Sequence, residues 1–234
     1  MDSTQFYCLD EEGLLNAVCV DFAEDFNSWD VLRGNSLLPE GALCYPYMGK
    51  KFYDIIIPSR PFPFLISDKV VDAFTRNSIT GWKATPVRIA GKEDLKYYVL
   101  MVTGRCGFVD RNKSVRIIKK SPGGKDWPFL QGLFFEPESW DGTDMFVAEN
   151  VSFIFCTEKV KKVIKQIKAT NISFENSMGI TIDAFTCPSD VLSCLTEKEA
   201  DKWSDLVRTI KAQVDEELKL QGFANGKILN NNGN

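Results

Sequence analysis

Two stretches of the 234-residue chain, ninety residues apart, carry the same succession of residue types, and this constrains the fold more than any other feature of the sequence. The first runs through apolar Phe64-Leu65-Ile66, Ser67 in the place of a helix N-cap, Val70, Val71 and Phe74 at helical spacing, then Gly81 and a strand-like Trp82 to Ile89. The second runs through Phe153-Ile154-Phe155-Cys156, the cap Thr157, then Val160, Val163, Ile164 and Ile167, and Asn171-Ile172-Ser173-Phe174. Aligned without a gap, Ser67 falls on Thr157, Lys69 on Lys159, Val70 on Val160, Phe74 on Ile164, Gly81 on Asn171 and Trp82 on Ile172. Gly and Asn both tolerate left-handed backbone, and the apolar matches keep one face buried in each copy. The spacing predicts two copies of a strand-helix-strand unit, residues 64 to 87 and 153 to 176. Chance likeness is the competing reading, because any two capped amphipathic helices agree at this level.

The flanking segments are rich in strand signals. Tyr97 to Thr103, Val115 to Lys119, Phe129 to Glu136 and Met145 to Ala148 read as strands parted by turn chemistry at Asp110-Arg111-Asn112, Ser121-Pro122-Gly123-Gly124 and Asp141-Gly142-Thr143. Strands in series imply antiparallel pairing. Upstream, Phe6 to Leu9 reads as a short strand and Leu14 to Phe22 as an apolar stretch of open type, while prolines and glycines over residues 39 to 63 predict ordered loop with a strand at Tyr53 to Ile57. Downstream, Ile180 to Phe185 precedes a Cys187-Pro188 break. Thr196 with Glu199 then forms a capping box for a helix with the stripe Ala200, Trp203, Leu206, Val207, Ile210, Val214 and Leu218, ended by Gly222. The expectation is an α/β (α+β) fold with a mixed, largely antiparallel sheet in one globular domain over 1–222. Within it lie an acidic subregion at 1–60, a repeat-containing core at 61–180, and a long C-terminal helix at 196–222; residues 223–234 form a flexible tail.

The residue inventory narrows the chemistry. With no histidine, Ser-His-Asp and Cys-His triads, HExxH sites and Cys2His2 fingers are impossible, whereas enzymes built on carboxylates, Lys, Tyr or Cys survive. Seven cysteines, odd in number and without a CxxC pair, read as buried reduced thiols, which points to the cytoplasm and to no metal. No apolar run is long enough to span a membrane, and the first ten residues lack the pattern of a secretory signal. The net charge of −4 argues against a nucleic-acid partner, but it is uneven: residues 1 to 40 hold nine acids against Arg33 alone.

Local candidates each carry a plainer reading. Ser121 to Lys125 lacks P-loop spacing and suits a hairpin turn. The basic stretch Arg111, Lys113, Arg116, Lys119, Lys120 and Lys125 suits a strand with one solvated face. Glu136, Glu138, Asp141, Asp144 and Glu149 around Trp140 suit a polar rim, with Trp140 as a possible binding anchor. Lys159, Lys161, Lys162, Lys165 and Lys168 suit a solvated helix face.

Pro63-Phe64-Leu65-Ile66-Ser67-Asp68-Lys69-Val70 with Trp82 to Val87, Tyr97-Tyr98-Val99-Leu100, and later Asp144-Met145-Phe146 with Ile154 to Val160 resemble the immunity proteins of bacterial polymorphic toxins. The resemblance spans about residues 60 to 176 and rests on structural motifs. It implies a non-catalytic protein that binds and neutralises a cognate toxin, and it carries no functional residue over. A histidine-free enzyme using the acidic loop and Lys125, or a generic interaction scaffold, are the alternatives. The expected partner surface is Asp21, Glu24, Asp25 and Asp30 with Trp140, Asp141 and Asp144. Acids clustered near the N-terminus can steer a basic toxin. No catalytic residue, cofactor, metal, nucleic acid or membrane is expected, and the sequence leaves the oligomeric state open.

Overall fold

The computed structural model describes residues 6–59, 62–120 and 126–184, together with 223–224 and 227–228. In chain order the elements are β1 (Phe6–Asp10), β2 (Cys19–Phe22), α1 (Ser28–Leu32), β3 (Ala42–Met48), β4 (Ile55–Pro58), β5 (Leu65–Ser67), α2 (Asp68–Arg76), β6 (Trp82–Ile89) and β7 (Tyr97–Val102). There follow β8 (Gly104–Cys106), β9 (Val115–Lys120), β10 (Asp126–Gln131), β11 (Met145–Ala148), β12 (Ile154–Thr157), α3 (Glu158–Gln166), β13 (Ser173–Asn176) and β14 (Thr181–Asp183). The chain divides into two compact units, Met1–Ile182 and Asp183–Asn234. In the second, β15 (Phe223–Ala224) and β16 (Lys227–Ile228) pair antiparallel. The helix expected over 196–222 lies outside the described residues.

The fold is mixed α+β with far more strand than helix. Six strands close a barrel in the order β2-β3-β6-β7-β5-β4, five form a sheet in the order β13-β1-β12-β11-β8, and β14-β10-β9 make a third sheet. Side chains of β5 and β7 alternate between two interiors: Leu65, Val99 and Met101 point into the barrel core, while Ile66, Leu100 and Val102 join the layer that holds both long helices. Burial on both faces explains why Tyr97 to Val102 is apolar without a break. Phe6, Phe135, Phe146 and Phe155 form a third cluster, with edge-to-face contacts such as Phe6–Phe146 at 5.0 Å.

The two strand-helix-strand segments have the same elements and chain directions. Helix α2 spans Asp68–Arg76 and α3 spans Glu158–Gln166, ninety residues on. In the barrel β5 and β6 both run antiparallel to β7 between them; in the sheet β12 and β13 both run antiparallel to β1 between them. Ile55↔Ile66 in the β4–β5 pair matches Met145↔Cys156 in the β11–β12 pair. The central strands come from different places, however: β7 follows its unit, whereas β1 comes from the far N-terminal end of the chain.

Hydrogen bonds agree with this matching, position for position. Asp54 accepts from Ser67 Oγ (2.7 Å), Lys69 Nζ (3.1 Å), Thr170 N (2.8 Å) and Thr170 Oγ1 (2.9 Å). Asp144 accepts from Thr157 Oγ1 (3.2 Å), Lys159 Nζ (2.9 Å), Thr80 N (2.9 Å) and Thr80 Oγ1 (3.1 Å). Each carboxylate thus holds the start of its own helix and the residue beyond the end of the other. Ser67 and Thr157 occupy the N-cap positions but make no side-chain cap bond, because their hydroxyls turn to these aspartates. The left-handed residues that end the helices are Ser78 and Lys168, while Gly81 and Asn171, also left-handed, lead into the next strands.

Several local expectations are corrected. Residues 39 to 63 contain the seven-residue β3 as well as β4; its Pro46 is tolerated because that end of the strand is exposed. The pairing itself is mixed and largely antiparallel, as expected, with β2–β4, β3–β6 and β8–β11 the parallel pairs among the described strands. Strand β9 exposes nearly every residue, on both faces. Lys159 and Lys161 are engaged, the first with Asp144 and the second over the Tyr7 ring at 3.4 Å.

Candidate protein-binding surface

The acids expected to meet a partner fall on separate elements. Asp21 lies on β2 and is exposed, accepting from Phe22 N (3.0 Å) and Ser59 Oγ (2.8 Å). Glu24 and Asp25 follow at the exit of β2, and Glu24 Oε2 is buried without a hydrogen-bond partner. Asp30 is on α1, which Asn27 caps through bonds to Trp29 N and Asp30 N, and it lines a concavity of about 370 Å³ with Trp29, Arg33 and Glu149.

The second group forms the approach to β11. Trp140 is half-buried: its indole N–H donates to Thr143 O (3.1 Å) and its ring meets Phe6 at 5.1 Å and Phe146 at 5.9 Å. Asp141 accepts from Arg105 N (2.7 Å), Thr143 N (3.0 Å) and Thr143 Oγ1 (2.6 Å). Asp144 is the clasp described above. Burial works to raise its pKa, but the bonds from Lys159 and Thr80 outweigh that and hold its carboxyl below the ordinary value. Trp140, Asp141 and Asp144 all therefore have roles within the fold.

Exposed aromatic surface gathers elsewhere, on the ribbon of β2 and β3. Tyr45 is 47% exposed, Tyr47 and Met48 are each 58%, and Leu15 beside them is 87%. A register shift explains the outward turn. Cys19 faces Met48 but Val20 faces Pro46, so Tyr47 is the extra residue of a bulge, a device that re-aims side chains. Gly49 fixes the ribbon's end: at φ +72° it approaches so closely that a Cβ there would lie 1.9 Å from Ala17 O. Between the ribbon and the loop before β2 runs a groove of about 520 Å³, lined among others by Leu14, Leu15, Cys19, Met48 and Ile57, with Glu11 at its lip. Burial first, then neighbouring Asp10, raise the Glu11 pKa against the opposing bond from Asn171. This face lies within residues 39 to 63, where prolines and glycines mask the strand pattern. The visible signal is Tyr45-Pro46-Tyr47-Met48, four large or rigid residues with no charge to solvate them.

Two other features are set apart. Arg33 and Arg105 meet at a smaller concavity, where Arg105 donates to Val102 O (2.8 Å), Gly104 O (2.9 Å) and Arg33 O. The β9–β10 ribbon presents Arg116, Lys119 and Lys120 around exposed Val115 and Ile118. No group of three or more Cys, Asp or Glu that could hold a metal ion is gathered among the described residues. Nor is any described helix long and apolar enough to cross a membrane.

Compared with known proteins, residues 62–178, half of the chain, match the family model described as the immunity protein family (Imm11). No curated protein matches the chain.

Proposed function

The chain belongs to the immunity protein family Imm11, and from that membership we propose that it binds a cognate toxin protein and neutralises it stoichiometrically, without catalysis. The family match carries this reading, because it spans both long helices and the strands around them. The histidine-free enzyme is less well supported. Its acidic loop has Asp141 and Asp144 committed to bonds with Arg105, Thr143, Thr80 and Lys159, and the lowered pKa of Asp144 suits a permanent acceptor better than a proton donor. A reducing, cytoplasmic setting belongs to the same reading, since the five described cysteines are free thiols.

We also propose that the barrel and the five-stranded sheet descend from one duplicated segment whose first strands, β1 and β7, have changed places. The equal ninety-residue spacing of Asp54 and Asp144, of Ser67 and Thr157 and of Thr80 and Thr170 supports this.

The functional test is co-expression of the chain with the product of the neighbouring gene, tested as the toxin, followed by calorimetry on the purified pair. Growth rescue and a one-to-one complex are expected. A toxin that stays active and unbound would remove the proposal.

A further inference from the structure

Building on the proposed function, we infer that the outer face of the β2–β3 ribbon is where the toxin docks, and that its occupant is a basic protein face presenting Arg or Lys side chains among apolar ones.

The surface has the composition of an interface centre. Tyr and Met are enriched at such centres because they supply large contact area, and a cluster of exposed apolar side chains rimmed by charge marks a binding site more often than a solvated surface. Tyr45 stands opposite Asp21 in the strand pair, so a guanidinium lying over the ring would be within reach of a carboxylate. The groove lined by Leu15 and Met48 offers the adjoining apolar pocket.

Charge selects the partner. Glu11 and Glu12 precede β2, Asp21 lies on it, Glu24 and Asp25 follow it and Glu40 precedes β3, against Lys50 and Lys51 at the ribbon's far end. A basic face complements this distribution and an acidic one is repelled by it.

Position within the family argues the same way. Strands β2 and β3, residues 19–22 and 42–48, lie outside the matched segment 62–178. A surface outside the segment common to the family is free to differ with the toxin each member meets. Strand β9, which is also exposed, lies inside that segment and would call for an acidic partner.

The test uses the full chain and the purified product of the neighbouring gene as the toxin. Hydrogen exchange in the complex is expected to protect residues 14–22 and 42–51, and the partner is expected to slow maleimide labelling of half-exposed Cys19. Tyr45→Ala with Tyr47→Ala, both exposed side chains, should raise the dissociation rate at least tenfold while circular dichroism is unchanged. Asp21→Asn with Glu24→Gln should slow association several-fold in low salt and little in high salt. Wild-type binding with unaltered rates in both double variants, or protection confined to residues 115–131, would overturn this surface and leave the proposed function standing. Absence of wild-type binding would overturn the proposed function, and this inference with it.

Discussion

Thr170 donates both its backbone N–H and its hydroxyl to the same carboxylate oxygen of Asp54, 116 residues earlier, at 2.8 and 2.9 Å. Thr80 makes the same pair of bonds to Asp144. Replacing Asp54 by Asn removes the charge that several donors share, so a loss of about 1–3 kcal/mol is expected, and Asp144→Asn should cost a similar amount. Urea unfolding checks both. Two variants as stable as wild type would show that the clasps are ornamental.

Acid should weaken these clasps. For Asp54 burial pushes the pKa up, but the bonds from Ser67, Thr170 and Lys69 prevail, and it lies below the ordinary value, as does that of Asp144. A carboxyl lowered by folding stabilises above its unfolded pKa, and that contribution is lost as pH falls through the folded value. The thermal midpoint should therefore drop as pH falls below about 4, where free aspartate begins to protonate. In the Asp54→Asn, Asp144→Asn double variant that acid-dependent fall should be shallower.

Gly81 sits at φ +82° with space for no side chain: a Cβ would lie 2.0 Å from Met145 O. Gly91, at φ +69°, has nothing within 4 Å of the same position. Gly81→Ala should thus abolish or severely impair folding, whereas Gly91→Ala should cost only about 1–2 kcal/mol from left-handed strain. Equal melting temperatures for the two would refute the close approach at Gly81.

Of the described cysteines, Cys8, Cys44, Cys106 and Cys156 are buried and Cys19 is half-exposed. Burial raises all five thiols above their ordinary value, Cys44 to about 12. Native-state alkylation followed by peptide mass spectrometry should find Cys19 modified first among them and the other four only on unfolding. Early labelling of Cys8 or Cys156 would mean that the five-stranded sheet opens readily.

Where a single local signal decided the structure, the sequence was legible. Helical spacing behind Ser67 and Thr157 placed α2 and α3, and the uninterrupted apolar run from Tyr97 placed β7. Pairing was not legible, because it depends on partners far along the chain: no pattern near Phe6 says that β1 lies between β12 and β13. Asp54 is illegible for a related reason, as a lone acid in a proline-rich stretch means little until the ninety-residue offset sets it on Asp144. The candidate surface failed differently. Acid counts pointed to charge, but the exposed aromatics arise from a bulge at Tyr47, and a bulge exists only relative to a paired strand. Trp140 likewise read as an anchor because its contacts with Phe6 and Phe146 are non-local.

The placement of β1 sets a timetable for synthesis. Its barrel-side counterpart β7 joins strands made shortly before it, but β1 is made well before the two strands that flank it in the finished sheet. At about 5–20 residues per second, those neighbours arrive roughly seven to thirty seconds later. The barrel can close while the nascent chain still lengthens, leaving Phe6, Cys8 and Leu9 without their partners. Deleting β1 would remove the strand that joins β13 to β12 in a sheet otherwise built from residues beyond 100.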